Sequence, residues 1–213
     1  MEPIRFRLFR FTIQVNFGFL LFLGVLAILR LPTQPVAAVV AFLLAVTLSL
    51  VVHELGHAFV ARSFGLKVMP IELSFMHGVT PHQSTTPGRQ LGITLAGPGA
   101  GFVLAALAMG AGLIADQVRM SHQSVVYELI DALVYVNIVY GLFNLLPIWP
   151  LDGGNALRSS VALVWGSAVA WKVTAVVGAV GALALVLFGF TTGETLLATL
   201  FGFIAYQNIR MLQ

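Results

Sequence analysis

VAAVVAFLLAVTLSLVVHELGHAFVA, residues 36–61, is apolar and long enough to sit in a bilayer, yet two histidines and a glutamate lie near its end. A spanning helix needs about 20 mostly apolar residues, and ionisable groups at membrane depth are costly and usually functional. On a helix, His53 and His57 are four residues apart and project from one face. That spacing suits two imidazole ligands of one zinc ion, with Glu54 beside them as general base. Gly56, next to His57, leaves room for another backbone to approach. The bland alternative is a histidine pair that hydrogen-bonds between helices.

The rest of the chain shares this apolar character. Of 213 residues, 59% are hydrophobic and 9% charged, and the mean hydropathy is +0.96. Soluble domains carry roughly 25% charged residues, and a soluble fold of this size has no interior able to hide so much apolar surface. The composition points to a polytopic α-helical membrane protein, read as one transmembrane domain over residues 1–213. The net charge of +3 does not indicate nucleic acid, because the basic residues form no single patch. The absence of cysteine excludes disulfides and thiolate metal sites. A metal must use His, Asp, Glu, Asn or water.

Six segments qualify as spans, at about 11–29, 36–62, 91–115, 126–146, 171–190 and 194–209. The first resembles a secretory signal, but it is longer than a usual signal core and no small-x-small site follows, so it reads as a retained span. The fifth and sixth form a tight hairpin across TTG, and 153–170 read as a short helix leading into the fifth. The positive-inside rule fixes orientation. With the N-terminus in the cytoplasm, Arg5, Arg7, Arg10, Arg62, Lys67, Arg89, Arg158, Lys172 and Arg210 lie inside. Only Arg30 and Arg119 lie outside. Both termini are then cytoplasmic, with His53 and His57 toward the cytoplasmic end of their span.

Between the second and third spans, LKVMPIELSFMHGVT (66–80) partly alternates apolar with polar residues and is punctuated by Pro70 and Gly78. It reads as short strands, a small membrane-associated sheet with a free edge. Gly97 and Gly101 in the third span form a GxxxG pattern that permits close helix approach. Gly178 with Ala182, and Gly189 with Gly193, read as further small-residue contacts.

A third ligand must reach the same depth as the histidines. Asp116, Glu128, Asp131, Glu194 and His122 lie toward the outer side in this topology. Glu72, His77 and His82 lie in the cytoplasmic loop, and the two histidines there read as loop residues rather than ligands. Asp152 stands out. It ends NLLPIWPLD at the cytoplasmic end of the fourth span, where Pro147 and Pro150 break the helix and Gly153 and Gly154 permit a sharp exit.

These two motifs carry a resemblance. HELGH at 53–57 and NLLPIWPLDG at 144–153 resemble the HExxH and NxxPxxPxDG pair of the site-2 protease family of intramembrane zinc metalloproteases, and AGP at 96–98 looks like that family's core helix. The likeness covers nearly the whole chain, as a minimal transmembrane core without a PDZ or CBS domain. The resemblance implies that His53, His57 and Asp152 bind one zinc ion, that Glu54 is catalytic and that Asn144 contacts substrate or the developing oxyanion. It departs from the family at His77–Gly78, where a glycine pair is common, and at Gly101, where an Asn is common. The expected activity is hydrolysis of a peptide bond within or near a transmembrane segment of a membrane-anchored, regulatory protein. The expected partners are that substrate and the lipid bilayer. A competing class is a metal-binding transporter or a non-proteolytic scaffold. Internal repeats would favour a transporter, and none is seen.

Overall fold

The computed structural model describes residues 2–75, 77–121 and 124–213; His122, expected in an outer loop, lies outside them. The chain runs β1 (Ile4–Leu8), β2 (Phe11–Val15), α1 (Phe17–Arg30), α2 (Val36–Ser63), β3 (Ile71–Ser74), β4 (His77–Val79), α3 (Pro87–Gln117), α4 (Val125–Asn144), α5 (Asp152–Thr192) and α6 (Thr195–Arg210). It divides into two compact units. One comprises Met1–Ser84 and Ala96–Gly141, the other Thr85–Leu95 and Leu142–Gln213.

In the first unit, β1 to β4 form one sheet in that order. IRFRL and FTIQV alternate apolar with polar residues, so each places its apolar side chains on one face. Phe11, Ile13, Ile71 and Leu73 form the inner face and pack on Phe19, Ala45, Val46, Leu50, Leu55 and Ala58 of α1 and α2. The β1–β2 turn puts Phe9 and Arg10 at φ 48° and 69°, a left-handed conformation that non-glycine residues adopt at a cost. Strand β2 pairs with β3 in parallel, matching Ile13 with Ile71. The chain leaves β2 along α1 and returns along α2, so the sheet lies at the end of α2 that carries HELGH. The side-chain amide of Asn16, just before α1, donates to Ser74 Oγ on β3 at 3.0 Å.

Helix α2 meets α3 closely at Gly56, where a Cβ would overlap the Ala96 carbonyl and lie 2.9 Å from Ala100 Cβ. It meets α4 through a buried hydrogen bond of 2.8 Å from Asn137 Nδ2 to Ser49 Oγ. The same amide nitrogen donates to the Leu133 carbonyl at 2.8 Å, so both its protons are used.

In the second unit, residues 145–151 break helical geometry before Asp152 starts α5. Within α5, Gly166 departs from helical φ/ψ, which divides a leading helix from the longer one, inside the stretch 153–170 that had been expected to be the leading helix throughout. Gly193, at φ 78°, turns the chain into α6. Ile148, Ala182, Phe201, Ile204 and Ala205 form the buried core there.

Two expectations need revision. Among the described residues, four helices, α2 to α5, are long and apolar enough to cross a membrane, where six segments had been expected. Helices α1 and α6 have 14 and 16 residues, about 21 and 24 Å long at ~1.5 Å per residue, short of a ~30 Å hydrocarbon core. Residues 11–15 belong to β2 rather than to a first span. Their apolar count is high, but FTIQV alternates with period two, which a hydropathy sum cannot see.

Candidate metal centre

Helix α2 runs unbroken from Val36 to Ser63, with no proline inside it and Gly56 accommodated in regular helix. The four-residue spacing therefore does bring the histidine side chains together. His53 Nε2 and His57 Nε2 face each other at 3.1 Å, and the rings are edge-on at 4.8 Å between centroids. Two nitrogens at ~2.0–2.1 Å from one tetrahedral ion would stand about 3.3 Å apart. The pair is thus set at the spacing a shared metal needs. The two residues are 3% and 8% exposed, low enough to orient the rings by packing. The ring of Tyr140 on α4 stands edge-on to His53 at 5.0 Å.

Space in front of both nitrogens is kept by α3. A Cβ at Gly97 would overlap His57 Nε2 and stand 2.8 Å from His53 Nε2. The GxxxG pattern therefore serves two neighbours: Gly97 faces the histidines of α2, and a Cβ at Gly101 would lie 3.2 Å from Asn137 Oδ1 of α4.

Glu54 is buried and lies under β4. A Cβ at Gly78 would overlap Glu54 Oε1 and its carboxyl carbon. Thr80, just past β4, places its hydroxyl 2.7 Å from Glu54 Oε2 and 3.1 Å from the Glu54 carbonyl oxygen. A threonine hydroxyl has one proton to donate, and the shorter, charge-assisted bond to the carboxylate takes it. Sequence reasoning passed over Thr80, because a threonine at a strand end carries no signal of its own.

In the second unit, Asn144 is the last residue of α4 and is buried. Asp152 is the first residue of α5 and half-buried. The turn between them is tightly built. A Cβ at Gly153 would fall on the Leu145 and Leu146 carbonyls, and one at Gly154 on the Trp149 amide. The side chain of Asn208 on α6 donates to the Trp149 carbonyl at 2.6 Å.

His77 and His82 take no part in the histidine pair. His77 is exposed and its Nδ1 donates to the Phe75 carbonyl at 2.9 Å. His82 Nδ1 donates to the Gln83 carbonyl at 2.9 Å, and its backbone bridges Val68.

The sequence profile of Peptidase family M50 matches residues 41–119 and 111–188, a stretch that contains both motifs. The chain belongs to Peptidase family M50. A zinc metalloprotease of Methanocaldococcus jannaschii is 30% identical over 192 residues, covering 90% of this chain and 55% of that protein. Stage IV sporulation protein FB of Bacillus subtilis is 33% identical over 139 residues, covering 64% of this chain and 44% of that one. This chain thus spans about half the length of these curated relatives. The solved site-2 protease of Methanocaldococcus jannaschii superposes with a TM-score of 0.71 at 25% identity, covering 100% of this chain and 96% of that chain. The fold is that of a site-2 protease, and the four long apolar helices agree with an integral membrane member of the M50 family.

Proposed function

We propose that this chain is an intramembrane zinc metalloendopeptidase that hydrolyses a peptide bond within or near the transmembrane segment of a membrane-anchored regulatory protein. The observation that carries the reading is the pair of Nε2 atoms 3.1 Å apart on α2, beside a buried carboxylate. His53, His57 and Asp152 are the ligands of one metal ion in this reading, two imidazole nitrogens and one carboxylate oxygen supplied by the paired motifs. The donor types suit zinc, and three protein ligands leave one position open for chemistry. Zinc, when bound, supplies Lewis-acid polarisation of a carbonyl and lowers the pKa of water.

The remaining steps belong to side chains. Glu54 accepts a proton from the attacking water and later delivers it to the leaving amide nitrogen. Water oxygen becomes bonded to the carbonyl carbon, the C–N bond breaks, and the products are a carboxylate and an amine. Asn144 donates a hydrogen bond to the substrate backbone or the developing oxyanion. The substrate helix must unwind locally, since its amides are covered by their own hydrogen bonds. Strand β4 is an edge of the sheet and offers the unwound segment a partner by strand addition.

The test is Glu54→Gln, compared with wild type in purified protein and in cells by quantitative membrane proteomics. The variant is expected to retain one zinc ion and to lose cleavage, so that an uncut membrane-anchored protein accumulates. Equal cleavage by both proteins would sink the reading, and favour a transporter or scaffold.

The proposed orientation puts both termini in the cytoplasm, supported by the distribution of basic residues. The chain has no native cysteine, so single cysteines at Glu2 and Gln213 report this directly. Both should resist a membrane-impermeant maleimide applied to intact cells and react after permeabilisation. Labelling in intact cells would reverse the orientation.

A further inference from the structure

Three features of the first unit converge on one carboxylate. Glu54 is 3% exposed. Its Oε1 side lies against Gly78, where no side chain fits. Its Oε2 is 2.7 Å from the Thr80 hydroxyl. Both contacts come from the segment 77–80 and none of that hold depends on HELGH itself.

We propose that Thr80 is a positioning residue for Glu54: its hydroxyl fixes Oε2 and leaves Oε1 as the oxygen that meets the attacking water. This deepens the proteolytic reading and rests on it. A glutamate has three side-chain torsions, and a general base works only within hydrogen-bond reach of the proton it takes. Burial alone does not choose between rotamers that keep the carboxylate under β4. A directional bond to one oxygen does. The same bond ties the base to the edge strand, so an extended segment added to β4 meets a carboxylate already aimed. Gly78 contributes by allowing β4 to lie against the carboxylate; any larger residue would displace one or the other.

The test uses the whole 213-residue chain in micelles with a transmembrane peptide bearing a fluorophore and a quencher. Thr80→Val keeps the shape and removes the hydroxyl, whereas Thr80→Ser keeps the hydroxyl. For Thr80→Val, kcat should fall about 10–100-fold, the range expected for a misaimed base, with KM and zinc content unchanged. Thr80→Ser should recover kcat to within about threefold of wild type. A second readout needs no turnover. The infrared carboxylate band of Glu54, isolated as wild type minus Glu54→Gln in the metal-free protein, should shift in Thr80→Val and return in Thr80→Ser. An unshifted band, or equal kcat in Thr80→Val and wild type, overturns the proposal while leaving the proteolytic reading intact. If Glu54→Gln cleaves the peptide as well as wild type, the reading itself has failed.

Discussion

His53 and His57 stand on an unbroken helix of 28 residues, whereas Asp152 follows seven residues in which Pro147 and Pro150 interrupt helix. In the first region the backbone hydrogen bonds run up the helix and only the side chains need outside help. They receive it from glycines on neighbouring elements: Gly97 opposite the imidazoles and Gly78 opposite the carboxylate. In the second region the backbone itself needs help. Prolines lack an amide proton, and the freed carbonyls must find donors elsewhere. The side chain of Asn208, donating to the Trp149 carbonyl at 2.6 Å, supplies one. Buried Ile148, packed on Phe201 and Ala182, adds an apolar anchor. A donor on a helix is placed by spacing; a donor after a turn is placed by what the turn leans on.

The largest effect should follow from adding one carbon to the second region. At Gly153 an added Cβ meets the carbonyls of Leu145 and Leu146, which are fixed backbone atoms. Gly153→Ala must therefore move the turn. Overpacking typically costs ~1–3 kcal/mol and sometimes more, and displacing a reacting group by ~1 Å can cost about 100-fold in rate. The expected outcome is a lower thermal midpoint together with loss of cleavage. A variant with the wild-type midpoint and activity would mean that the turn is soft and that the contrast between the regions is wrong.

What was legible in the sequence follows the same contrast. HELGH could be read because helix periodicity converts a four-residue spacing into geometry without any knowledge of neighbours. The helix break before Asp152 could be read because proline and glycine announce a turn. The contacts that complete each region were not legible. Nothing in GVT announces that Thr80 meets Glu54, and nothing in QNI announces that Asn208 meets Trp149, because both contacts join residues far apart in sequence. The β1–β2 hairpin was missed for a local reason. Its turn uses Phe9 and Arg10 at positive φ in place of the Asn or Gly that marks most such turns, and its arginines resemble the flank of a first membrane span. Alternation in IRFRL and FTIQV was the available signal.

A smaller and more selective effect is expected at Gly97. Here an added Cβ would collide with His57 Nε2 and crowd His53 Nε2, and these are the tips of side chains that can turn. The helix packing at Gly56 and Ala96 is one residue away and keeps its own contacts, so Gly97→Ala should fold with a midpoint close to wild type. Turning either imidazole, however, breaks the 3.1 Å spacing of the two nitrogens, which is the feature that suits a shared ion. Metal-site perturbations of this kind typically cost about 10–100-fold in affinity. Competition with a zinc chelator should therefore strip Gly97→Ala at correspondingly lower chelator concentration, with activity returning when zinc is added in excess. Gly153→Ala should show the reverse pattern, losing stability and not being rescued by zinc. If excess zinc rescued both variants equally, or neither, the helix-borne and turn-borne donors would not be held by different means.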